Sequence, residues 1–217
     1  MSKPSSFRCL ITAGPTQEYI DPVRYISNPS SGKMGYAIAK SALNKGWTVD
    51  LVSGPVNEKE PKGAILYPVT SAEEMYHQVD ALFDVCDICI MTAAVSDFTA
   101  RELSKTKIKK ATAVHELQLK PTRDILKAMC LRKSKQLVIG FAAETESLER
   151  NAKEKLKDKG CDWIIANQVG LNGVGFNSDD NAIIIFMKDG KSYEYGPTSK
   201  LALAEIIVQS IADRLKF

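Results

Sequence analysis

Short apolar runs separated by amphipathic segments of helical length fill most of this chain, and that alternation restricts its fold more than any other feature. Cys9 to Thr12, Thr48 to Val52, Ile65 to Val69, Asp87 to Thr92, Leu137 to Phe141 and Trp163 to Ala166 read as strands. Several are apolar on both faces, as strands of a covered parallel sheet must be. Helices fit between them. One runs from Gly32 to Asn44 and is ended by Gly46. A second runs from Ser71 to Phe83, with Ser71 and Glu74 as a capping pattern. A third spans roughly Thr122 to Leu131, and a fourth runs from Ser147 to Lys159, ended by Gly160. The pattern predicts an α/β fold with a doubly wound, mostly parallel sheet.

After Ala166 the period changes. Asn181 to Met187 and Ser192 to Tyr195 flank the turn Lys188-Asp-Gly-Lys191, which predicts a β-hairpin with Asp-Gly at its tip. A final helix from about Thr198 to Phe217 follows. The stretch from Ala94 to Leu119 breaks the alternation, because it holds a lysine-rich loop and one expected strand, Val114 to Leu119. It reads as a flap over the strand ends, where open α/β sheets bind their ligands.

With 217 residues, no repeat and no linker, residues 1–217 are expected to form one domain. No stretch approaches the roughly 18 to 20 apolar residues of a membrane span, and the N-terminus lacks the apolar segment of a signal peptide. A cytoplasmic location with reduced cysteines is therefore expected. A net charge of +3 is too balanced to argue for nucleic acid. Local clusters must carry any anion argument, and the densest are Lys105-Thr-Lys-Ile-Lys-Lys110 and Lys153-Glu-Lys-Leu-Lys-Asp-Lys159.

The connection between the first strand and the first helix is about nineteen residues long, Ala13 to Ser31, where roughly 2 to 6 is usual. It delivers an Arg, an Asn, hydroxyls and a Gly to a helix N-terminus, an arrangement suited to an anion. Ser30-Ser-Gly-Lys-Met-Gly35 is not a P-loop, since Ser27 and Met34 stand where that motif needs Gly and Ser or Thr. It is not a dinucleotide fingerprint either, because Ser53 and Gly54 occupy the place of the ribose-binding acid. What remains is free backbone N–H groups at a helix start, which favour phosphate over a simple capped turn.

In the helix from Ser147, Lys155 and Lys159 fall on the side of the apolar stripe Leu148, Ala152 and Leu156, while Lys153 and Lys157 point away. Two inward lysines either snorkel past the core or face an anion. Asp97, after the small residues at the end of the fourth strand, either caps or binds a ligand. Cys86 and Cys89 are expected to be buried structural thiols, since i and i+3 in a strand face opposite sides. His77 and His115 have no neighbouring ligand set for zinc.

Taken together, Ile11-Thr-Ala-Gly-Pro-Thr16, Asp21-Pro-Val-Arg-Tyr-Ile-Ser-Asn28, Ser30-Ser-Gly-Lys-Met-Gly35 and Leu51-Val-Ser-Gly-Pro55 closely resemble phosphopantothenate-cysteine ligase of coenzyme A biosynthesis. Ala93-Ala-Val-Ser-Asp97, Lys107-Ile-Lys-Lys110, Gly140-Phe-Ala-Ala-Glu-Thr145, Ala166-Asn167 and Gly175-Phe-Asn-Ser-Asp-Asp-Asn181 continue the match in family order. The resemblance implies a Rossmann-like ligase that joins 4′-phosphopantothenate to cysteine with a nucleoside triphosphate and Mg2+. CTP is the expected cosubstrate, ahead of ATP. By the same resemblance Asn28 and Lys107 are catalytic, and Arg24, Asn28, Ala93 and Ala94 meet the phosphopantothenate. The nucleotide would contact Ser31, Gly32, Thr92, Ala93, Asp97, Lys107, Arg123, Asp124, Ile125, Leu126, Phe141, Lys155 and Lys159. The metal ligands are not indicated. A homodimer is implied, with neither nucleic acid nor membrane as partner. Many bacterial members carry an N-terminal decarboxylase, so a separate phosphopantothenoylcysteine decarboxylase is an expected partner of a stand-alone ligase.

The chain departs from the family at Arg123-Asp-Ile-Leu126, where many members carry a proline before the Asp, and in the flap before Lys107. Two other classes stay open at the level of sequence. One is a nicotinamide-dependent oxidoreductase on the same sheet, and the other is a non-catalytic nucleotide-binding partner of a decarboxylase.

Overall fold

A computed structural model describes residues 6–110, 116–168 and 180–215. In chain order the elements are β1 (Arg8–Ala13), β2 (Gln17–Tyr19), β3 (Tyr25–Ser27), α1 (Lys33–Asn44), β4 (Thr48–Ser53), β5 (Ile65–Pro68), α2 (Ala72–Phe83), β6 (Ile88–Met91), β7 (Phe98–Ala100) and β8 (Leu119–Pro121). They continue with α3 (Ile125–Arg132), β9 (Leu137–Glu144), α4 (Leu148–Lys159), β10 (Trp163–Gln168), β11 (Asp180–Met187), β12 (Ser192–Ser199) and α5 (Lys200–Arg214).

Eight strands form one sheet in the order β12-β11-β10-β9-β6-β1-β4-β5. From β10 to β5 every pairing is parallel, and β11 and β12 add an antiparallel hairpin at one edge. The chain winds outward from β1 through β4 to β5, then returns to the other side of β1 to lay down β6, β9 and β10. That reversal makes a crevice at the carboxyl ends of β1 and β6, the usual ligand site of doubly wound sheets. All six strands expected from the apolar runs are present.

Both faces of the sheet are covered. On one face α1 and α5 bury Tyr36, Ile38, Leu203, Ile207 and Ile211 against Ile11, Leu51, Ile90 and Ile165. On the other, α2, α3 and α4 contribute Met75, Val79, Phe83, Ile125, Met129 and Ala152 against Leu10, Val52, Val138 and Ile164. Parallel strands between two helical layers have no wet face, which is why their sequence is apolar without alternation. The five cysteines are buried free thiols, and Cys86 Sγ donates to Phe83 O at 3.2 Å. Among the described residues no helix is long and apolar enough to cross a membrane.

Several boundaries differ from the sequence expectation for local reasons. The connection after β1 is not bare loop, since β2 and β3 pair as a small antiparallel hairpin within it. The third helix starts at Ile125 rather than Thr122. Asp124 Oδ1 caps it by accepting from Lys127 N at 2.9 Å, while Thr122 bonds to the main chain of Asp97 and Ser96. Instead of Val114 to Leu119, the strand is Leu119–Pro121, paired with Phe98–Ala100; residues 114 and 115 lie outside the described set. The last strand runs on to Ser199, with Thr198 opposite Asn181, and Ser199 then caps α5 through Ala202 N. The expected end of that helix, Phe217, and most of the Gly175 to Asn181 block also lie outside the described residues.

One contact sets how deeply α1 sits. A Cβ on Gly35 would lie 2.5 Å from Thr92 Oγ1 and 2.6 Å from Ala13 Cβ, so the helix meets the ends of β1 and β6 with only a hydrogen atom between. Gly35→Ala is predicted to push α1 outward at a cost of about 1–3 kcal/mol, read as a Tm several degrees lower in calorimetry. An unchanged Tm would contradict the close approach.

Candidate functional site

The crevice at the carboxyl ends of β1 and β6 opens into a cavity of about 640 Å³. Its floor is Met91, Thr92, Ala93 and Ala94, and small side chains there expose the main chain. The floor is braced across the two strands. Thr92 Oγ1 donates to Thr12 O at 2.6 Å, and Ala93 N donates to Thr12 Oγ1 at 3.2 Å.

One wall is the start of α1, with Ser30, Ser31, Gly32, Lys33 and Gly35. Gly32 precedes the helix at φ 77°, a left-handed conformation that glycine adopts without strain, and a Cβ there would strike Val56 Cγ1 at 2.7 Å. No side chain caps this helix and its first turn holds no acid, so the positive end of the helix dipole at this wall favours an anion.

The facing wall runs from Asp97 and Phe98 to Thr122, Arg123, Asp124, Ile125 and Leu126, and Phe141, Ala143, Lys155 and Lys159 close the side. Lys155 and Lys159 are half-buried while Lys153 and Lys157 are exposed, as the helical stripe implied. Lys155 Nζ donates to Phe141 O at 2.9 Å. Burial lowers the Lys155 pKa, with Glu144 opposing and Lys159 adding to the shift. Lys159 Nζ pairs with Asp124 Oδ2. Burial would raise the Asp124 pKa, but the bonds from Lys159 and the Lys127 N–H outweigh it and hold the carboxylate ionised. Arg123 lies over the Tyr76 ring, its Cζ 4.1 Å from the centroid, and 3.9 Å from Glu73. Asn28 Nδ2 donates to Ala94 O and to Val95 O, both at 3.1 Å, and so ties the long connection to the floor.

The structure brings together Asn28, Ser31, Gly32, Thr92, Ala93, Ala94, Asp97, Arg123, Asp124, Ile125, Leu126, Phe141, Lys155 and Lys159 in this one cavity. Arg24 and Lys107 are not in its lining. Arg24 sits at the tip of the β2–β3 hairpin, and Lys107 is exposed on the segment after β7. Lys200 also lines the cavity, and sequence reasoning did not single it out. It is 7% exposed, at the first position of α5. A lysine where the helix dipole favours an acid was the available signal. Among the described residues no group of three or more His, Cys, Asp or Glu is placed to hold a metal by itself.

The family model for the DNA/pantothenate metabolism flavoprotein C-terminal domain matches residues 5–215. The coenzyme A biosynthesis bifunctional protein CoaBC of Bacillus subtilis (strain 168) is 48% identical over 204 residues, covering 94% of this chain and 50% of that protein. CoaBC of Escherichia coli (strain K12) is 46% identical over 185 residues, covering 83% of this chain and 46% of that protein. The chain thus spans about half the length of the curated relatives it matches. The crystal structure of the C-terminal domain of CoaBC superposes with a TM-score of 0.83 at 40% identity, covering 97% of this chain and 96% of that one. With its fold and nearly all of its length matched, the chain belongs to the family of the DNA/pantothenate metabolism flavoprotein C-terminal domain.

Proposed function

We propose that this chain joins 4′-phosphopantothenate to L-cysteine in coenzyme A biosynthesis, using CTP and passing through an acyl-cytidylate. The observation that carries this reading is the convergence, in one cavity, of an uncapped helix start with Asn28, Asp97, Phe141, Lys155 and Lys159, residues scattered widely along the chain. The phosphopantothenate carboxylate attacks the α-phosphate of CTP and expels pyrophosphate. The cysteine amine then attacks the activated carbonyl and CMP leaves. Negative charge grows first on phosphoryl oxygens and then on a tetrahedral oxyanion, and fixed cations and N–H donors stabilise both.

In this reading the phosphates lie against the N–H groups that follow Ser31 and Gly32, with Lys155 and Lys159 opposite. Arg123 to Leu126 and Phe141 enclose the base and sugar. Lys107, on the flap, meets the phosphates in the first step. Mg2+ is usually held by one or two carboxylates together with substrate phosphates. Among the described residues one cavity carboxylate stands outside the Lys159 pair, Asp97, and that suits such a division better than an all-protein cage. Mg2+ bound there would neutralise charge on the phosphates.

Asn28 gives both amide hydrogens to main-chain carbonyls. The atom it retains for chemistry is Oδ1, an acceptor. Its part in the second step is therefore to accept from the incoming cysteine amine and to hold the Ala94 wall, in preference to donating to the acyl carbonyl. Exposed Tyr19, Val23 and Tyr25 on the β2–β3 hairpin, with Phe98 and Leu119 on β7 and β8, offer an apolar surface in support of a homodimer. The product would pass to a phosphopantothenoylcysteine decarboxylase in the cytoplasm.

Three measurements test this reading. Pyrophosphate release with phosphopantothenate is expected to be faster with CTP than with ATP, and product formation is expected to require cysteine. No release with either nucleotide overturns the reaction. Asn28→Asp puts a carboxylate oxygen against two carbonyls. It should still release pyrophosphate yet form little phosphopantothenoylcysteine, and the reverse split would contradict the assigned role. Lys155→Met should weaken CTP binding roughly tenfold or more, the loss of one charge-assisted hydrogen bond. Its stability effect has a defined sign. A lysine pKa lowered by folding is a penalty present in full below the folded pKa and relieved as pH climbs toward the unfolded value of 10.5. The Tm of the wild type relative to Lys155→Met should therefore rise between pH 7 and pH 10.

A further inference from the structure

The segment that carries Lys107 is held by the tip of the β2–β3 hairpin through one buried carboxylate. Asp21 has no exposed surface. Its Oδ1 accepts the N–H groups of Val23 and Arg24, both at 2.8 Å, and so closes its own turn. Its Oδ2 accepts from Arg24 Nε at 3.0 Å and from Arg24 Nη2. The same oxygen also accepts the N–H of Ile108 at 3.1 Å. Arg24 Nη2 completes the ring by donating to Ile108 O at 2.9 Å. A second tie lies nearby, from Ser104 N to Ile20 O at 3.1 Å.

The two oxygens of Asp21 thus do different work. Oδ1 serves a local turn and needs nothing beyond residue 24. Oδ2 and the guanidinium it orients engage both main-chain polar groups of Ile108, more than eighty residues away. A turn does not require that second set of bonds. Ile108 directly follows Lys107, and adjacent Cα atoms are about 3.8 Å apart, so holding Ile108 fixes the point from which the lysine reaches. Lys107 itself is exposed and has no side-chain hydrogen bond that would fix it independently among those described.

We propose that Asp21 is a positioning residue for Lys107, acting through the backbone of Ile108 with Arg24 as the second arm. The role rests on the ligase reading, in which Lys107 meets the phosphates during pyrophosphate release. Arg24, the residue assigned to phosphopantothenate, then belongs to the same assembly that places the flap lysine. Asp21 touches neither substrate and takes no part in bond making.

Asp21→Asn separates the two functions. Its amide oxygen still accepts the Val23 and Arg24 N–H groups, whereas its NH2 group opposes the Ile108 N–H and the guanidinium. At saturating CTP and phosphopantothenate, pyrophosphate release should fall at least tenfold while the KM for CTP changes little. Lys107→Ala should also slow release, and the double variant should be no slower than Lys107→Ala within about twofold, because the two act as one unit. Multiplying losses, or a wild-type rate in Asp21→Asn, would overturn the role. Amide exchange in the wild-type chain supplies a reading that needs no variant. The Ile108 amide should be protected at least tenfold over those of Lys109 and Lys110, and equal exchange would also overturn the role. A wild type that releases no pyrophosphate would overturn the ligase reading. A wild type that turns over with additive variants would overturn the Asp21 role alone.

Discussion

The near contact between α1 and the ends of β1 and β6 governs the rest of the molecule. Where Gly35 passes Ala13 and Thr92 there is no room for a methyl group, and the start of the helix is carried to the crevice between the two central strands. Because the sheet reverses its winding at β1, this is also where α1 after β1 and α3 after β6 leave neighbouring strands toward opposite faces. The Thr12 and Thr92 hydroxyls lock the two strand ends together with bonds of 2.6 and 3.2 Å, so the floor of the cavity is rigid. A ligand held here would rest on main chain and helix N–H groups that are already in position, and preorganisation of that kind is what charge stabilisation in a transition state requires.

Around that frame the cavity gathers cations under partial burial. Lys155 gives up solvent to reach the Phe141 carbonyl, and its lowered pKa records the cost. Lys159 is balanced by Asp124, which also caps α3, so one carboxylate joins a helix start to the cavity wall. A half-buried lysine at the edge of the crevice is poor design for stability alone. It suits a cavity that receives a highly charged anion, whose phosphates would return the lost solvation. The hairpin of β2 and β3 performs a parallel task on the other side. Asn28 anchors its base to the floor, and Asp21 with Arg24 anchors its tip to the segment bearing Lys107.

How far the site could be read in advance depended on whether each signal was local. The inward tilt of Lys155 and Lys159 followed from helical period alone, and both line the cavity. The start of α1 followed from Gly32 and the small residues before it. The cap of α2 was written in Ser71 and Glu74, and Glu74 N donates to Ser71 Oγ at 3.2 Å. Lys200 escaped because its place depends on how α5 packs across α1, more than 150 residues away in sequence. The hairpin within the long connection escaped for a similar reason. β2 and β3 have three residues each, too few to show a period, and they are held by bonds to distant partners such as Ala72 N to Glu18 Oε1 at 2.8 Å.

The sequence by itself determined the alternation of strand and helix, the covered parallel sheet, the terminal hairpin and the start of a helix at Gly32 after a run of small residues. Each of these follows from backbone period, capping and turn chemistry acting over a few residues. Only the tertiary structure decided that fourteen scattered positions share one cavity, that the Asn28 amide is engaged by the floor, and that Asp21 reaches Ile108. Those facts depend on strand order and on close packing between segments remote in the chain. Short-range preferences carry no record of them, because a hydrogen bond between residues 21 and 108 leaves no period at either end.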